Sequence, residues 1–467
     1  MTEPVRHTTP ISLYNTATGT IDPLETRRKN ELSLYACGPT VYDHPHLGHA
    51  RSAMTYDIMR RYFEWRGLDV HHVSNCTDID DKIIDRAARE GTTEAEVAKT
   101  WEKVYDDIMD QLNVLRPHHR PHATSYVSAM VDFIQILLDN DSAYIASDGV
   151  YLRVHKVDDY GLLVHRDVDD LRDNAETRLD DCPDKEDPLD FALWKNAKPG
   201  EPTWAAPWGA GRPGWHIECV AMSLDILGDG FDLHGGGSDL VFPHHTNERA
   251  QAVAAGRDFA RHWAHNAMVN IGGQKMGKSL NNYTTVADVL AEHSDNARAL
   301  RLAVLQTHYR KNMELSTDVL AQARESIARI DAMARKANAA GIKETEVADG
   351  DVMERFEEAM DHDLGTPDAV ATMFDTVRAT NAAIDNNETG RAGSLLNTVN
   401  IMLAVFGLTI NDGTNDCDDD TAAALVDARN QARADKNFTE ADRLRTKLAA
   451  LGIEVEDTAN GTIWHRT

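Results

Sequence analysis

Apolar residues first gather in a short run, Leu32-Ser33-Leu34-Tyr35-Ala36, and then recur at helical spacing at Met54, Ile58 and Tyr62. A run of that length followed by a period near 3.6 reads as strand, loop and helix, with His46 to His49 at the loop end where the stretch Gly48 to Trp65 opens. A further helix is predicted from Glu94 to Leu112. Val97, Trp101, Val104, Ile108 and Leu112 form its buried stripe, and Thr93 with Glu96 makes a capping box at its start. Strand and helix patterns alternating from about 30 to 115 fit one half of a doubly wound α/β fold. Around 120 to 205 the chain becomes Asp-rich, with turn-forming Cys182-Pro183-Asp184 and Lys198-Pro199-Gly200, so an irregular insertion is expected there. The α/β pattern then resumes. Gly235-Gly236-Gly237 after Phe231-Asp232-Leu233-His234 marks a second strand end, where backbone is expected to approach a ligand. From about 290 to 410 amphipathic patterns predict a helical bundle. Residues 413–420 read as a linker, and a small helical and strand module closes the chain.

A chain of 467 residues is too long for one core and should divide into about three or four domains. No apolar run approaches the roughly 20 residues of a membrane span, and the polar start Met1-Thr2-Glu3-Pro4-Val5-Arg6 does not read as a signal peptide. A cytoplasmic protein without a membrane partner is therefore expected. Five cysteines scattered over such a chain argue against a disulfide framework and for free thiols or metal ligation. Net charge changes the picture further. At −28, with acid spread through Asp78-Ile79-Asp80-Asp81, Asp167-Val168-Asp169-Asp170 and 416–420, the surface should be acidic throughout. Self-repulsion of that surface is screened within about 3 Å at 1 M salt, so a halophilic source is expected.

The candidate chemistry lies in two constellations. His46-Leu47-Gly48-His49 opens a helix, whose N-terminal N–H groups and positive dipole end suit phosphate, and Gly48 would let a nucleotide approach the backbone. Both imidazoles can donate hydrogen bonds to phosphate oxygens as charge develops. Far downstream, Lys275-Met276-Gly277-Lys278-Ser279 follows Gly272-Gly273-Gln274, a Gly-containing loop able to bring two point charges to the same phosphates. Cys37, Cys219, His244 and Glu248 have the residue types of a tetrahedral zinc set, with His244 and Glu248 spaced to share a helix face. By type alone, buried free thiols and capped imidazoles are the commoner account of them. His118, His119 and His122 also look metal-like, but two prolines in Arg116-Pro117-His118-His119-Arg120-Pro121-His122 should splay them along an extended loop. Cys76, Cys182 and Cys417 read as structural or incidental.

The paired His and Lys segments resemble the two signatures of class I aminoacyl-tRNA synthetases, with Leu47 for the usual Ile and Gly277 for the usual Ser. Four further blocks extend the resemblance along the chain: Cys37-Gly38-Pro39-Thr40-Val41-Tyr42-Asp43, Thr77-Asp78-Ile79-Asp80-Asp81-Lys82-Ile83, Gly211 to Cys219, and Asp232 to Leu240 running on through Phe242-Pro243-His244-His245. These resemble the cysteinyl-tRNA synthetase family. The resemblance implies one zinc ion per chain on Cys37, Cys219, His244 and Glu248, which also takes the substrate thiolate, a soft ligand that a serine hydroxyl matches poorly. It implies that Thr77, Trp215 and His234 line the amino-acid pocket, that Asp239 faces the nucleotide beside His46, Gly48, His49 and Lys278, and that ATP arrives with Mg2+. His46, His49, Lys275 and Lys278 are then the catalytic set. In the last segment Arg433, Phe438, Asp442, Arg445 and Asp457 resemble the anticodon-binding module of the family, where Arg and Asp suit base edges and an aromatic ring suits stacking; some relatives carry Trp in place of Phe438.

The expected fold is thus a Rossmann-like doubly wound α/β catalytic domain (1–125 and 205–255) carrying a connective insertion (126–204). A loop-bearing stem-contact region (256–315), a helical bundle (316–412) and an anticodon-binding module (421–467) follow. Expected partners are tRNA(Cys), ATP and L-cysteine, with the chain a monomer. Two rivals are a ligase joining cysteine to an amino sugar through the same activation core, and a zinc- or nucleotide-binding regulator that lost catalysis. Residues 421–467 argue against the first and the intact lysine loop against the second.

Overall fold

A computed structural model describes residues 10–175, 184–275, 284–411, 420–450, 453–458 and 461–466. Cys182, Cys417, the linker positions 413–419 and the loop residues Met276 to Ser279, Lys278 among them, lie outside the described residues. The chain forms two compact units, Met1–Val289 with Thr307–Leu315 and Met360–Gly365, and Leu290–Gln306 with Ser316–Ala359 and Thr366–Thr467.

In the first unit Glu31–Ala36 forms a strand with every residue after Glu31 buried, the pattern of a strand covered on both faces. Helix Leu47–Trp65 follows, burying Met54, Ile58 and Tyr62, and returns the chain to strand Asp69–Val73, parallel to the first. Among the described residues four strands make up this parallel sheet, in the order His262–Asn266, Leu233–Gly237, Glu31–Ala36, Asp69–Val73. In register, Tyr35 sits opposite His234, and Trp263 lies on the other side of His234. The sheet runs past residue 255, the expected edge of the catalytic part, because His262–Asn266 is its outer strand. Residues 119–122 lie extended beside Asp69–Val73 and its continuation, bridging at Val73–His119 and Cys76–His122. Helix Glu94–Gln111 carries the expected capping box, with Val97, Ile108 and the following Leu112 buried and Trp101 and Val104 half-buried.

The insertion is not the irregular segment expected. It holds helix Val127–Asp139 and an antiparallel sheet in the order Ala143–Ile145, Gly149–Leu152, Phe191–Asn196, Gly211–Pro213. Its strands are only 3 to 6 residues long, too short for their alternation to stand out among many aspartates. Gly149 makes the pairing possible, since a Cβ there would stand 2.0 Å from the Trp194 carbonyl oxygen.

The second unit is mostly helical. Asn296–Leu305, Thr317–Ala339, Thr366–Asp385 and Thr389–Phe406 pack around buried Leu300, Ile327, Met373 and Val399. Arg301 is buried and donates to the Phe406 carbonyl at 3.1 Å, satisfying one of the orphan acceptors at that helix's end. Near the end of the chain, helices Asp420–Ala434 and Phe438–Ala450 precede an antiparallel hairpin, Ile453–Thr458 with Gly461–Arg466, around Val426, Leu448 and Ile453.

Candidate nucleotide and metal site

His46 is the N-cap of helix Leu47–Trp65. Its Nδ1 accepts from the backbone N–H of Gly48 at 3.1 Å and of His49 at 3.3 Å, while His49 Nδ1 accepts from the His46 N–H at 3.3 Å. The helix-end donors expected to be free for phosphate are therefore taken by His46, because a ring at the N-cap reaches them before any ligand. Gly48 is needed for that ring: a Cβ would stand 2.8 Å from His46 Cε1. The capping bonds also fix the tautomers. With both Nδ1 atoms accepting, each neutral ring carries its proton on Nε2, and the two rings stack at 3.7 Å between centroids. Burial pushes His49 down to about 3, helped by His46 and Lys82, so it stays neutral at ordinary pH.

The two rings line a cleft of about 300 Å³ together with Gly48, Asp239, Lys82, Cys37 and Trp215. Arg51, one turn along the same helix, is buried and donates to the carbonyls of Met268 at 2.6 Å and Tyr309 at 3.2 Å, and to that of Lys311. That ties the cleft helix to the residue before Val269–Ile271, the strand that pairs with Gln274–Lys275. Asn270 sits opposite Lys275 in that hairpin.

Cys37 stands one residue past strand Glu31–Ala36, Cys219 in helix Trp215–Ile226, His244 in the turn before helix Thr246–Ala254 and Glu248 in that helix's first turn. The fold draws them into one cluster with all four ligand atoms within 4.8 Å of one another. The sulfurs lie 3.8 Å apart, the separation of two sulfurs each about 2.3 Å from a tetrahedral ion, which puts them about 3.8 Å apart. Cys219 Sγ is 3.7 Å from His244 Nε2, and His244 Nε2 is 2.7 Å from Glu248 Oε1. Behind the cluster, His244 Nδ1 meets His216 Nδ1 at 2.9 Å and His234 Nε2 meets Glu248 Oε2 at 2.6 Å, the outer partners that orient metal ligands. His234, His245, Cys37 and Glu248 form an overlapping group of the same span. His245 Nδ1, however, is engaged with His265 at 2.8 Å, and His265 in turn with Thr16 at 2.7 Å.

Electrostatics agree with a cation here. Burial opposes charge on both, yet Glu248 lifts His244 to about 10, and His244, His234 and His245 hold Glu248 well below the usual carboxylate range. Burial pushes Cys37 up while its hydrogen bond draws Cys219 down to about 6, so one thiolate and one carboxylate face a single imidazolium. Such a buried set of thiols and carboxylate is favoured by a positive centre. The residues fit a zinc ion in type, spacing and outer partners.

Around the cluster, Trp215 stacks on His244 at 3.9 Å and His234 on Trp263 at 4.7 Å. Buried Thr77 donates to Glu218 Oε2 at 3.0 Å and accepts from Asn75 Nδ2 at 3.2 Å. Glu218, Asn75, His216 and Lys82 were not singled out from the sequence, although all but Asn75 lie within or beside the blocks that carry the resemblance. Of the three glycines expected to admit a ligand, two make room for side chains: a Cβ on Gly235 would meet Tyr56 at 2.1 Å and one on Gly236 would meet His245 at 2.8 Å, while Gly237 lines the cleft. Tyr56 uses the space to set its hydroxyl between the carbonyls of Gly236 and Ala264, at 2.9 and 2.8 Å, with one proton to share between them.

Of the residues expected to read the anticodon, Phe438, Asp442 and Arg445 fall at spacings of four and three along helix Phe438–Ala450, on one face, and all are exposed. Phe438 is 63% exposed. Arg433 and Asp457 are paired with each other, and Asp457 also takes a two-pronged contact from Arg429 at 2.8 and 2.7 Å.

Comparison with known proteins adds the following. Residues 23–325 match the model of the tRNA synthetases class I (C) catalytic domain, 355–411 the DALR domain and 419–464 the cysteinyl-tRNA ligase anticodon binding domain. The chain is 42% identical to the cysteine–tRNA ligase of Halorhodospira halophila over 98% of its own length and 100% of the relative's. It is 41% identical to that of Caldicellulosiruptor saccharolyticus over 97% and 99%. The Mycobacterium tuberculosis methionyl-tRNA synthetase in complex with methionyl-adenylate shares the fold, with a TM-score of 0.59 at 15% identity over 80% of this chain and 89% of that one.

Proposed function

The chain belongs to the cysteine–tRNA ligases within the class I aminoacyl-tRNA synthetases, and from that membership we propose how its residues divide the work. It is a ligase that activates L-cysteine with ATP and transfers it to the 3′ end of tRNA(Cys). In the first step a cysteine carboxylate oxygen attacks the α-phosphorus and the bond to pyrophosphate breaks. In the second, a terminal ribose hydroxyl attacks the activated carbonyl, losing its proton, and AMP leaves. Neither step needs a covalent nucleophile from the protein.

His46 and His49 donate from Nε2 to the phosphate oxygens as the phosphorus passes through its five-coordinate state. Their capping bonds hold both rings before ATP arrives, so little reorganisation is needed during reaction. Lys275 and Lys278 supply positive charge to the same oxygens, Gly48 and Asp239 belong to the nucleotide's side of the cleft, and Mg2+ accompanies ATP. Thr77, Trp215 and His234 shape the amino-acid pocket. Cys37, Cys219, His244 and Glu248 would hold zinc, which when bound supplies a soft Lewis-acid position for a thiol and a poor one for a hydroxyl. His216 and His234 orient two of those ligands. Arg433, Phe438, Asp442, Arg445 and Asp457 serve the anticodon, with Phe438 offering a stacking face. Among the described residues no helix is long and apolar enough to cross a membrane. We assign the protein to the cytoplasm, as a monomer adapted to high salt.

The observation that carries this reading is that Cys37 and Trp215 line the same cleft as His46, His49 and Asp239, so a thiol-selecting cluster opens onto a phosphate-handling helix end. Cysteine-dependent ATP–pyrophosphate exchange followed by charging of purified tRNA tests it. Exchange equally supported by serine, or none with cysteine, would overturn it.

A further inference from the structure

Cys76 and His122 lie side by side across the bridge that joins 118–123 to the edge of the parallel sheet. The Cys76 N–H donates to the Pro121 carbonyl at 2.8 Å, and the Ala123 N–H donates to the Cys76 carbonyl at 3.1 Å, so backbone bonds fix both flanks of His122. Glu102 reaches the same place from helix Glu94–Gln111. Both of its carboxylate oxygens are 3.0 Å from His122 Nε2, and one ligand atom from each of the three residues lies within 4.8 Å of the others. Thiol, imidazole and carboxylate are the zinc donor types, and a nitrogen and an oxygen each about 2.0 Å from a tetrahedral ion sit about 3.3 Å apart.

We propose that Cys76, Glu102 and His122 form a second divalent-metal site, distinct from the cleft cluster and suited to a borderline-soft ion such as zinc. Three protein ligands leave a fourth, water-filled position, and the thiol would need to close by no more than roughly 1.3 Å to complete a tetrahedral set. One wall is apolar, made by Val41, Ala98 and Trp101 around the buried Cys76. The other is open, since His122 and Glu102 keep 37% and 24% of their side-chain surface, giving an ion a way in. Nearby Arg120 spends its charge on Asp106, and Asp78 is occupied by the N–H and hydroxyl of Thr124, so neither competes for the three ligands. A thiol ligates as the thiolate, so binding releases a proton to solvent and strengthens as pH rises.

The sequence hid this site because its ligands come from three segments. The His-rich run splays as its prolines dictate: His118 turns to Arg60 at 2.8 Å and leaves His122 to partners 20 and 46 positions away. The consequence is local rigidity. An ion there clips helix Glu94–Gln111 and segment 118–123 onto Cys76, immediately before Thr77, which sits 3.0 Å from Glu218 behind the cleft.

The test is zinc stoichiometry of the full chain by elemental mass spectrometry after dialysis against limiting zinc, with cobalt absorption as a second readout. Two ions are expected in the wild type, one in His122→Ala and in Cys76→Ser, one in Cys219→Ser, and none in Cys76→Ser combined with Cys219→Ser. The remaining ion of Cys219→Ser should show thiolate-to-cobalt absorption that disappears when His122→Ala is added. His122 is partly exposed, so that variant reports on the site even where Cys76→Ser folds poorly. One ion in the wild type that Cys219→Ser removes, or two ions retained by His122→Ala, overturns the second site. One ion that His122→Ala removes and Cys219→Ser spares would support it and instead defeat the assignment of zinc to the cleft.

Discussion

Cys37 Sγ lies 3.8 Å from Cys219 Sγ although 182 positions separate the two residues. The parallel sheet makes this meeting possible: strand Glu31–Ala36 releases Cys37 at its C-terminal end, where helix Trp215–Ile226 and the His244 turn also converge. Ligands in an open α/β fold gather at that edge. The pair also shows why neither sulfur is a passive core thiol. Each has polar partners from another segment, His245 Nε2 at 3.3 Å for Cys37 and His244 Nε2 at 3.7 Å for Cys219.

Replacing Cys219 by Ser should strip tight zinc from the cleft and raise the KM for cysteine far more than that for ATP. Disturbing an outer partner of a metal already costs about 10–100-fold in affinity, so losing a ligand should cost at least that. Elemental analysis with exchange kinetics checks it. Equal losses for both substrates would mean that the cluster is not the amino-acid selector.

Lys278→Ala should slow adenylate formation by roughly 10²–10³-fold, the usual effect of deleting one preorganised charge donor, with cysteine binding nearly unchanged. Single-turnover rates separate the two. A wild-type activation rate would leave the loop as a solvated surface segment.

Local signals were legible. Thr93 and Glu96 announced a helix start that exists with both capping bonds, because a capping box is decided within four residues. That Cys37, Cys219, His244 and Glu248 come together was legible only through the family's sequence blocks, since no spacing rule links Cys37 to Cys219. The cap at His46 was not legible, because that a histidine ring at the N-cap takes the N–H groups of Gly48 and His49 depends on its rotamer rather than on residue type. Glu218 escaped for another reason. Its carboxyl, pushed up by burial, accepts from the Thr77 hydroxyl, and only packing reveals that.

His72 gives a pH prediction. Its ring is buried, neither ring nitrogen has a protein partner, and burial, with Arg60 and His118 nearby, pushes it down to about 3. Unfolded, it binds a proton near pH ~6.5. Between these values the unfolded chain holds more protons, so the contribution is fully present above ~6.5 and is lost as pH falls toward 3. His72→Leu should flatten the fall of stability between pH 6.5 and 4 by up to about 1.4 kcal/mol per pH unit, one proton's worth. Denaturant melts at several pH values measure it; an unchanged slope would show that His72 is not a linked site.

Phe438→Ala should weaken tRNA binding by about 1–3 kcal/mol, the usual value of one stacked base, and leave cysteine-dependent exchange intact. Its ring is 63% exposed, so the folded state loses little packing. A raised KM for tRNA at constant exchange rate is the expected pattern. An unaltered KM would assign Phe438 to the surface alone.

The acidic balance sets the last expectation. A net charge of −28 must be reconciled with a polyanionic partner, and carboxylates such as Asp169 and Asp170 stand exposed on helix Val168–Ala175. Repulsion among such groups destabilises the compact state and repels tRNA at low ionic strength, and both penalties shrink as the Debye length falls from about 10 Å at 0.1 M to about 3 Å at 1 M. Counterion release from phosphates works the other way, weakening binding as salt rises in proportion to the cationic contacts made. With acidic residues outnumbering Lys and Arg 76 to 48, the first effect should dominate stability and blunt the second in binding. Melting temperature and charging rate should both climb from about 0.1 M toward molar KCl, with a shallower salt dependence of tRNA affinity than a basic binder shows. Maximal stability and charging at the lowest salt would refute adaptation to high ionic strength and leave the ligase assignment untouched.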